Sequence, residues 1–135
     1  MNTQETKRTR TAFIPGTHLL VIDDDPTFRL LLSAAAKECG LKVTACSSIE
    51  DLKAQELPYA FDVVVLDYYL DDFKNLIKGT DIAGALGAIP VILVSANEEC
   101  IENAEIWPSS IRKFIHKKAG VSSIARVALE LSHVL

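Results

Sequence analysis

Short apolar runs alternate along the chain with longer segments of helical patterning. The runs are rich in Val, Ile and Leu and predict β-strands at His18–Asp23, Leu41–Cys46, Phe61–Asp67, Pro90–Ser95 and Ile111–Lys117. The segments between and after them predict helices at Pro26–Glu38, Ser48–Glu56, Thr80–Leu86, Asn97–Glu105 and Val121–Val134. The stretches VVVL and VILV show no polar alternation, which suits strands covered on both faces, as in a parallel sheet. A βαβαβ succession over one short chain predicts an open parallel sheet with helices on both sides. Boundary residues agree with this. Gly40 stands where a C′ glycine would end the first helix, and Ser47 with Glu50 predicts a capping box at the start of the second. Asp25 directly precedes Pro26, which predicts an N-cap with proline at N1.

Composition narrows the class. The chain of 135 residues is one domain long, and its 49% apolar and 24% charged residues are those of an ordinary globular protein. A net charge of −4 gives no general reason to expect nucleic acid as a partner. No apolar stretch reaches the ~20 residues of a membrane span, and the N-terminal MNTQETKRTRTAFIPGT lacks a signal-peptide core. Residues 1–16 read as a flexible arm carrying Lys7, Arg8 and Arg10, leaving residues 17–135 as the folded domain. Cys39, Cys46 and Cys100 form no CxxC pair and read as small apolar fillers in a reducing cytoplasm. His18, His116 and His133 are equally scattered, so a zinc site is not expected.

In open parallel sheets, ligands bind outside the carboxyl ends of the strands. Those ends hold Asp23, Asp24 and Asp25 after the first strand, Asp67 after the third, Ser95 after the fourth and Lys117 after the fifth. Like charges 4 Å apart repel by about 1 kcal/mol in water and about 4 at a partly buried site, so such a cluster needs a cation. With Asp25 assigned to capping, Asp23, Asp24 and Asp67 remain as oxygen donors for Mg²⁺, which binds through one or two carboxylates, waters and a phosphate. The rim thus fits a phosphoryl group, with Asp67 as nucleophile, Lys117 as counter-charge and Ser95 as hydrogen-bond donor.

The motifs VIDDDP, DVVVLDYYL, PVILVSA and KFIHKK, in this order and each at its own strand end, resemble those of the receiver domain of two-component response regulators. The resemblance runs from His18 to about Val134. It implies a flavodoxin-like three-layer α/β sandwich whose five-stranded parallel sheet has the order 2-1-3-4-5. It implies that Asp67 accepts a phosphoryl group from a histidine kinase or phosphotransfer protein. Asp24 would then ligate Mg²⁺ directly, Asp23 largely through water, and Tyr69 through its backbone carbonyl. Lys117 and Ser95 would contact the phosphoryl oxygens, and Ala96 is small enough to leave access. Phe114 matches the aromatic switch position, which moves when the hydroxyl residue follows the phosphate. The chain ends at Leu135 without room for an effector domain, so a stand-alone cytoplasmic receiver is expected, a monomer or weak dimer that acts by docking or by passing phosphate onward.

Three departures from that pattern stand out. Lys118 occupies the place of a usual proline, and the peptide before that proline is typically cis. A non-proline cis bond costs about 2.5–4 kcal/mol, so a trans Lys117–Lys118 peptide is expected, with the ammonium still near Asp67. The run DDFKNLIK lengthens the connection to Gly79, and the spacing of Phe73, Leu76 and Ile77 predicts a short helical turn, or a third helix beginning near Asn75. Tyr68 and Tyr69 are expected to flank the site with bulk, and Tyr69 and Asn97 lie where the family tunes phosphate lifetime. Two other functions stay open: a scaffold whose pocket is never phosphorylated, and an aspartate-nucleophile phosphatase for small molecules. The second lacks the acid that class needs two residues after its nucleophile, where Tyr69 stands, and has no cap region. A flavin module is disfavoured, because an acidic rim repels phosphate unless a metal intervenes.

Overall fold

The apolar runs pair side by side into one parallel sheet: β1 (His18–Ile22), β2 (Lys42–Cys46), β3 (Val63–Asp67), β4 (Val91–Ser95) and β5 (Ile111–His116) lie in the order β2-β1-β3-β4-β5. This is the expected order 2-1-3-4-5. The computed structural model describes residues 17–48, 50–51, 61–70, 77–78, 88–96 and 109–133. The expected N-terminal arm, the helices at Thr80–Leu86 and Asn97–Glu105, and most of the helix at Ser48–Glu56 fall outside these residues.

Apart from His18 at the start of β1 and Asp67 and Ser95 at the ends of β3 and β4, the three central strands are apolar, because the sheet is covered on both faces. Leu19, Val21, Val63, Val65, Ile92 and Val94 point into one core layer, and Leu20, Ile22, Val64, Leu66, Val91 and Leu93 into the other. Each fully buried Val, Leu or Ile is worth about 1.5–3 kcal/mol over its exposed state. The first layer is closed by α1 (Pro26–Glu38) and α2 (Val121–Ser132), which pack on the same face and against each other. Phe28, Leu32 and Ala36, each four residues from the next, form the buried stripe of α1, and Ile124, Ala125 and Ala128, at i, i+1 and i+4, form that of α2.

β5 departs from strict alternation. Ile111 and Phe114 are three residues apart yet both pack on the second core layer. A bulge reconciles them: Val91 pairs with Ile111 and Ile92 with Lys113, so Arg112 is the extra, exposed residue. Phe114 is thereby brought opposite Leu93, and Ile115 opposite Val94 on the other face.

Helix ends follow the sequence with one correction. Asp25 is the N-cap of α1, its Oδ1 accepting from the Thr27 and Phe28 amides at 3.0 and 3.4 Å. At the other end, Gly40 (φ 93°) donates to the Lys37 carbonyl and Leu41 to that of Ala36, both groups closing a Schellman turn with Leu41 buried. The cap expected at Ser47 and Glu50 lies one residue later: the Asp51 amide donates to Ser48 Oγ at 3.0 Å, and Asp51 Oδ2 accepts from the Ser47 amide at 3.0 Å. Asp51, shorter than Glu50, reaches back to a backbone group one residue before the cap.

The connection after β3 also differs from expectation. Tyr69–Leu70 and Ile77–Lys78 form a two-stranded antiparallel ladder, with Tyr69 opposite Lys78 and Leu70 opposite Ile77. Ile77 is extended where its spacing predicted a helical turn, and Asn75, the alternative start of the third helix, lies outside the described residues. Phe73 and Leu76 lie outside the described residues.

Candidate functional site

The carboxyl ends of β1, β3, β4 and β5 bring their polar residues to one rim, as parallel strands must. Asp23 follows β1 directly, and its amide continues the ladder by donating to the Cys46 carbonyl at 3.1 Å. Asp67 is the last residue of β3 and Ser95 the last of β4. All three are buried, at 0%, 6% and 1% exposure, which is unusual for two carboxylates. Asp24 is half-buried, and Ala96 is exposed at the edge of the rim.

The carboxylates of Asp23, Asp24 and Asp67 offer oxygens that all lie within 4.8 Å of one another. Lys117, the residue after β5, reaches into this cluster. Its Nζ is 2.8 Å from Asp23 Oδ2 and 3.9 Å from Asp67 Oδ1. The same ammonium sits 4.5 Å from the centroid of the Phe28 ring, a cation–π contact that supplies an apolar floor. Asp23 is tied further by its Oδ1, which accepts from the Asp25 amide at 2.9 Å, and by its carbonyl, which accepts from the Arg29 guanidinium at 2.7 Å. Burial pushes the Asp23 carboxyl above its ordinary range; the Lys117 ammonium and the Asp25 amide pull it back, and the Asp24 charge raises it again.

The donor set fits a hard divalent cation. Asp23 Oδ2 is buried with the Lys117 ammonium as its ionic partner but no well-aligned hydrogen bond, so it keeps unused acceptor capacity. Octahedral Mg²⁺ holds oxygens at about 2.0–2.1 Å, placing opposite ligands about 4.2 Å apart. Oxygens no further apart than 4.8 Å can reach that arrangement by small side-chain turns or through one bridging water.

The Lys117–Lys118 peptide is trans, as the absence of proline predicts, and no cis bond occurs among the described residues. The chain turns there through a 3₁₀ helix, Lys117–Ala119, whose N-cap is His116. The His116 ring Nδ1 accepts the Lys118 N–H at 3.2 Å. The ammonium still lies near Asp67.

Every sequence-derived site residue whose side chain is described, except Tyr68, lies at this rim or beside it. Phe114 is half-buried against the second core layer, opposite Leu93 and so two strand residues before the level of Ser95. Tyr68, expected to flank the site, is instead buried in that same layer at 3% exposure, because strand alternation after Asp67 turns it inward. Tyr69 is described in its backbone alone, and Asn97 lies outside the described residues. Three participants were not read from the sequence: Phe28 beneath the ammonium, Arg29 on the Asp23 carbonyl, and His116 at the turn. Arg29 carried a signal, since it stands in the capped first turn of α1, directly after the aspartates of the rim.

Comparison with known proteins agrees with this geometry. The family described as the response regulator receiver domain matches residues 19–128. The two-component response regulator ORR26 of Oryza sativa subsp. japonica is 32% identical over 93 residues, covering 66% of this chain and 16% of that protein. The two-component response regulator ARR11 of Arabidopsis thaliana is 32% identical over 93 residues, covering 67% of this chain and 18% of that protein. The chain therefore spans less than a fifth of these relatives' lengths. Among solved structures, response regulator TrrA from Thermotoga maritima, in complex with Mg²⁺–BeF, superposes with a TM-score of 0.68 at 20% identity, covering 85% of this chain and 98% of that one. The receiver domain of the Francisella response regulator 1452 gives 0.69 at 18% identity, covering 87% and 97%.

Proposed function

Because this chain belongs to the response regulator receiver domain family of two-component systems, we propose that it accepts a phosphoryl group on Asp67 from a histidine kinase or phosphotransfer protein in the cytoplasm. The observation that carries this reading is the convergence on one buried rim of Asp67, the Asp23–Asp24 pair and the Lys117 ammonium. In the transfer, an Asp67 carboxylate oxygen attacks phosphorus while the nitrogen–phosphorus bond of the donor's phosphohistidine, protonated on its other ring nitrogen, breaks, leaving an acyl phosphate and a neutral imidazole. Mg²⁺, held by Asp24 and Asp67 directly, by Asp23 through water and by the Tyr69 carbonyl, would neutralise the phosphoryl oxygens during the transfer.

The protein's own groups do the rest. Lys117 shares its charge between Asp23 and Asp67 and can move the short way onto a phosphoryl oxygen, its flexible stem absorbing the shift. Ser95, at the end of the neighbouring strand, donates to a second oxygen, and Ala96 leaves the approach open. Ser95 moving toward the phosphate would free space for Phe114 to turn inward, a local charge event that biases a two-state surface. This is a phosphoacceptor, not a turnover phosphatase.

Intact-mass spectrometry after incubation with Mg²⁺ and acetyl phosphate tests the reading. Wild type should gain one phosphoryl group that is lost at high pH, and Asp67→Asn should gain none. Equal labelling of both proteins, or of neither across several small phosphodonors, would refute it.

A further inference from the structure

The turn after β5 must aim Lys117 without a proline to fix it, and the sequence provides a device one residue earlier. Lys118 brings an N–H that proline would lack, and β5 has ended at His116, so the sheet ladder does not take up that donor. His116 adopts the extended conformation of an N-cap (φ −68°, ψ 138°), and its Nδ1 accepts the Lys118 N–H at 3.2 Å. Ser, Thr, Asp and Asn are the usual caps. Histidine can replace them because Nδ1 is bonded to Cγ, as far from the backbone as the side-chain oxygen of Asn. On the other side, Gly120 (φ 97°) donates to the Lys117 carbonyl at 3.1 Å. Both polar groups of the Lys117–Lys118 peptide, its N–H and its C=O, are therefore pinned.

We propose that His116 is a positioning residue: by accepting the Lys118 N–H on Nδ1 it fixes the 3₁₀ turn from which Lys117 delivers its ammonium to Asp23 and Asp67. Its consequence for phosphoryl binding rests on the phosphoacceptor reading; its geometry does not. The arrangement requires the ring proton on Nε2, with Nδ1 unprotonated. A lysine on a loosely held turn would spread its ammonium over a wider volume and lose contact with the rim, so the effect falls on phosphoryl binding more than on folding.

Two measurements on the full chain test this separately. Long-range ¹H–¹⁵N spectra of the His116 ring at mildly alkaline pH should show the Nε2–H tautomer, and amide exchange should show Lys118 protected in wild type and His116→Asn but not in His116→Ala. A ring protonated on Nδ1, or equal Lys118 protection in all three, overturns the proposal without reference to any ligand. The second measurement is affinity for beryllofluoride with Mg²⁺. Loss of one such hydrogen bond should weaken binding about five-fold in His116→Ala, with His116→Asn restoring it to within about two-fold of wild type. If Asn is as weak as Ala, the ring has only a packing role and the positioning role is refuted; if Ala equals wild type, the proposal fails as well. A wild type that binds no beryllofluoride refutes the phosphoacceptor reading instead, and the ring and exchange data still decide the role of His116.

Discussion

Three adjacent aspartates divide their work by which backbone group each side chain can reach. Asp25 turns forward onto the first amides of α1, and Asp23 accepts the Asp25 amide while keeping Oδ2 for the rim. Asp25 is thus a structural residue beside a chemical pair. Asp25→Asn should leave stability nearly unchanged, whereas Asp25→Ala should cost about 1 kcal/mol, and neither should change Mg²⁺ affinity by much. Denaturant melts with and without Mg²⁺ check both parts; a marked loss of Mg²⁺ affinity in Asp25→Asn would show that the division is wrong. This split was legible in the sequence, since Asp-Pro before an apolar stripe has a local physical meaning. The Phe28 contact was not. Which residue of α1 lies under Lys117 depends on how the helix crosses the sheet, a non-local fact that spacing does not encode.

Among the elements, those with dense apolar runs declared themselves, while those set by pairing did not. β3 and β4 are continuous in VVVL and VILV, but the bulge at Arg112 shows only as an odd spacing between Ile111 and Phe114. The ladder of Tyr69–Leu70 with Ile77–Lys78 did not show in the sequence, and Ile77 was read as helical from its spacing, because two-residue strands are too short for any period. The amino end of β1 gives a testable case of cross-strand tying. The His18 ring pairs through Nε2 with Thr44 Oγ1 of β2 at 2.8 Å and meets the Phe61 ring edge-on at 5.1 Å. Burial pushes the His18 pKa below its ordinary 6.5, Lys42 lowers it further, and Asp62 opposes both. As pH falls, the unfolded chain takes the proton first, so this contribution to stability is complete above about 6.5 and declines from there down to the folded-state value. Unfolding midpoints measured against pH should show that decline in wild type and less of it in His18→Gln. Parallel curves for the two proteins would place the acid sensitivity elsewhere.

For the whole molecule, the sheet does what its order predicts: it gathers charge at one rim and leaves the protein to bear the repulsion. Asp23, Asp24 and Asp67 face one another with the single ammonium of Lys117 between two of them, and burial already disfavours the charged form of Asp23. The fold is secured by the two apolar layers, so it can hold this strained pocket as standing affinity for a cation. Two opposite effects follow from one change. In the presence of a chelator, Asp24→Asn should raise the melting temperature, because a repulsive charge is removed. With Mg²⁺ added, wild type should gain about 1.4 kcal/mol at ten times its dissociation constant, roughly 5 °C for a chain of this size, and the variant should gain far less. Calorimetry across a Mg²⁺ series checks this, with curves that cross as the metal rises. A variant less stable than wild type in chelator would mean that Asp24 is held by contacts stronger than the repulsion it suffers. An undiminished Mg²⁺ response would mean that the ion is bound without Asp24.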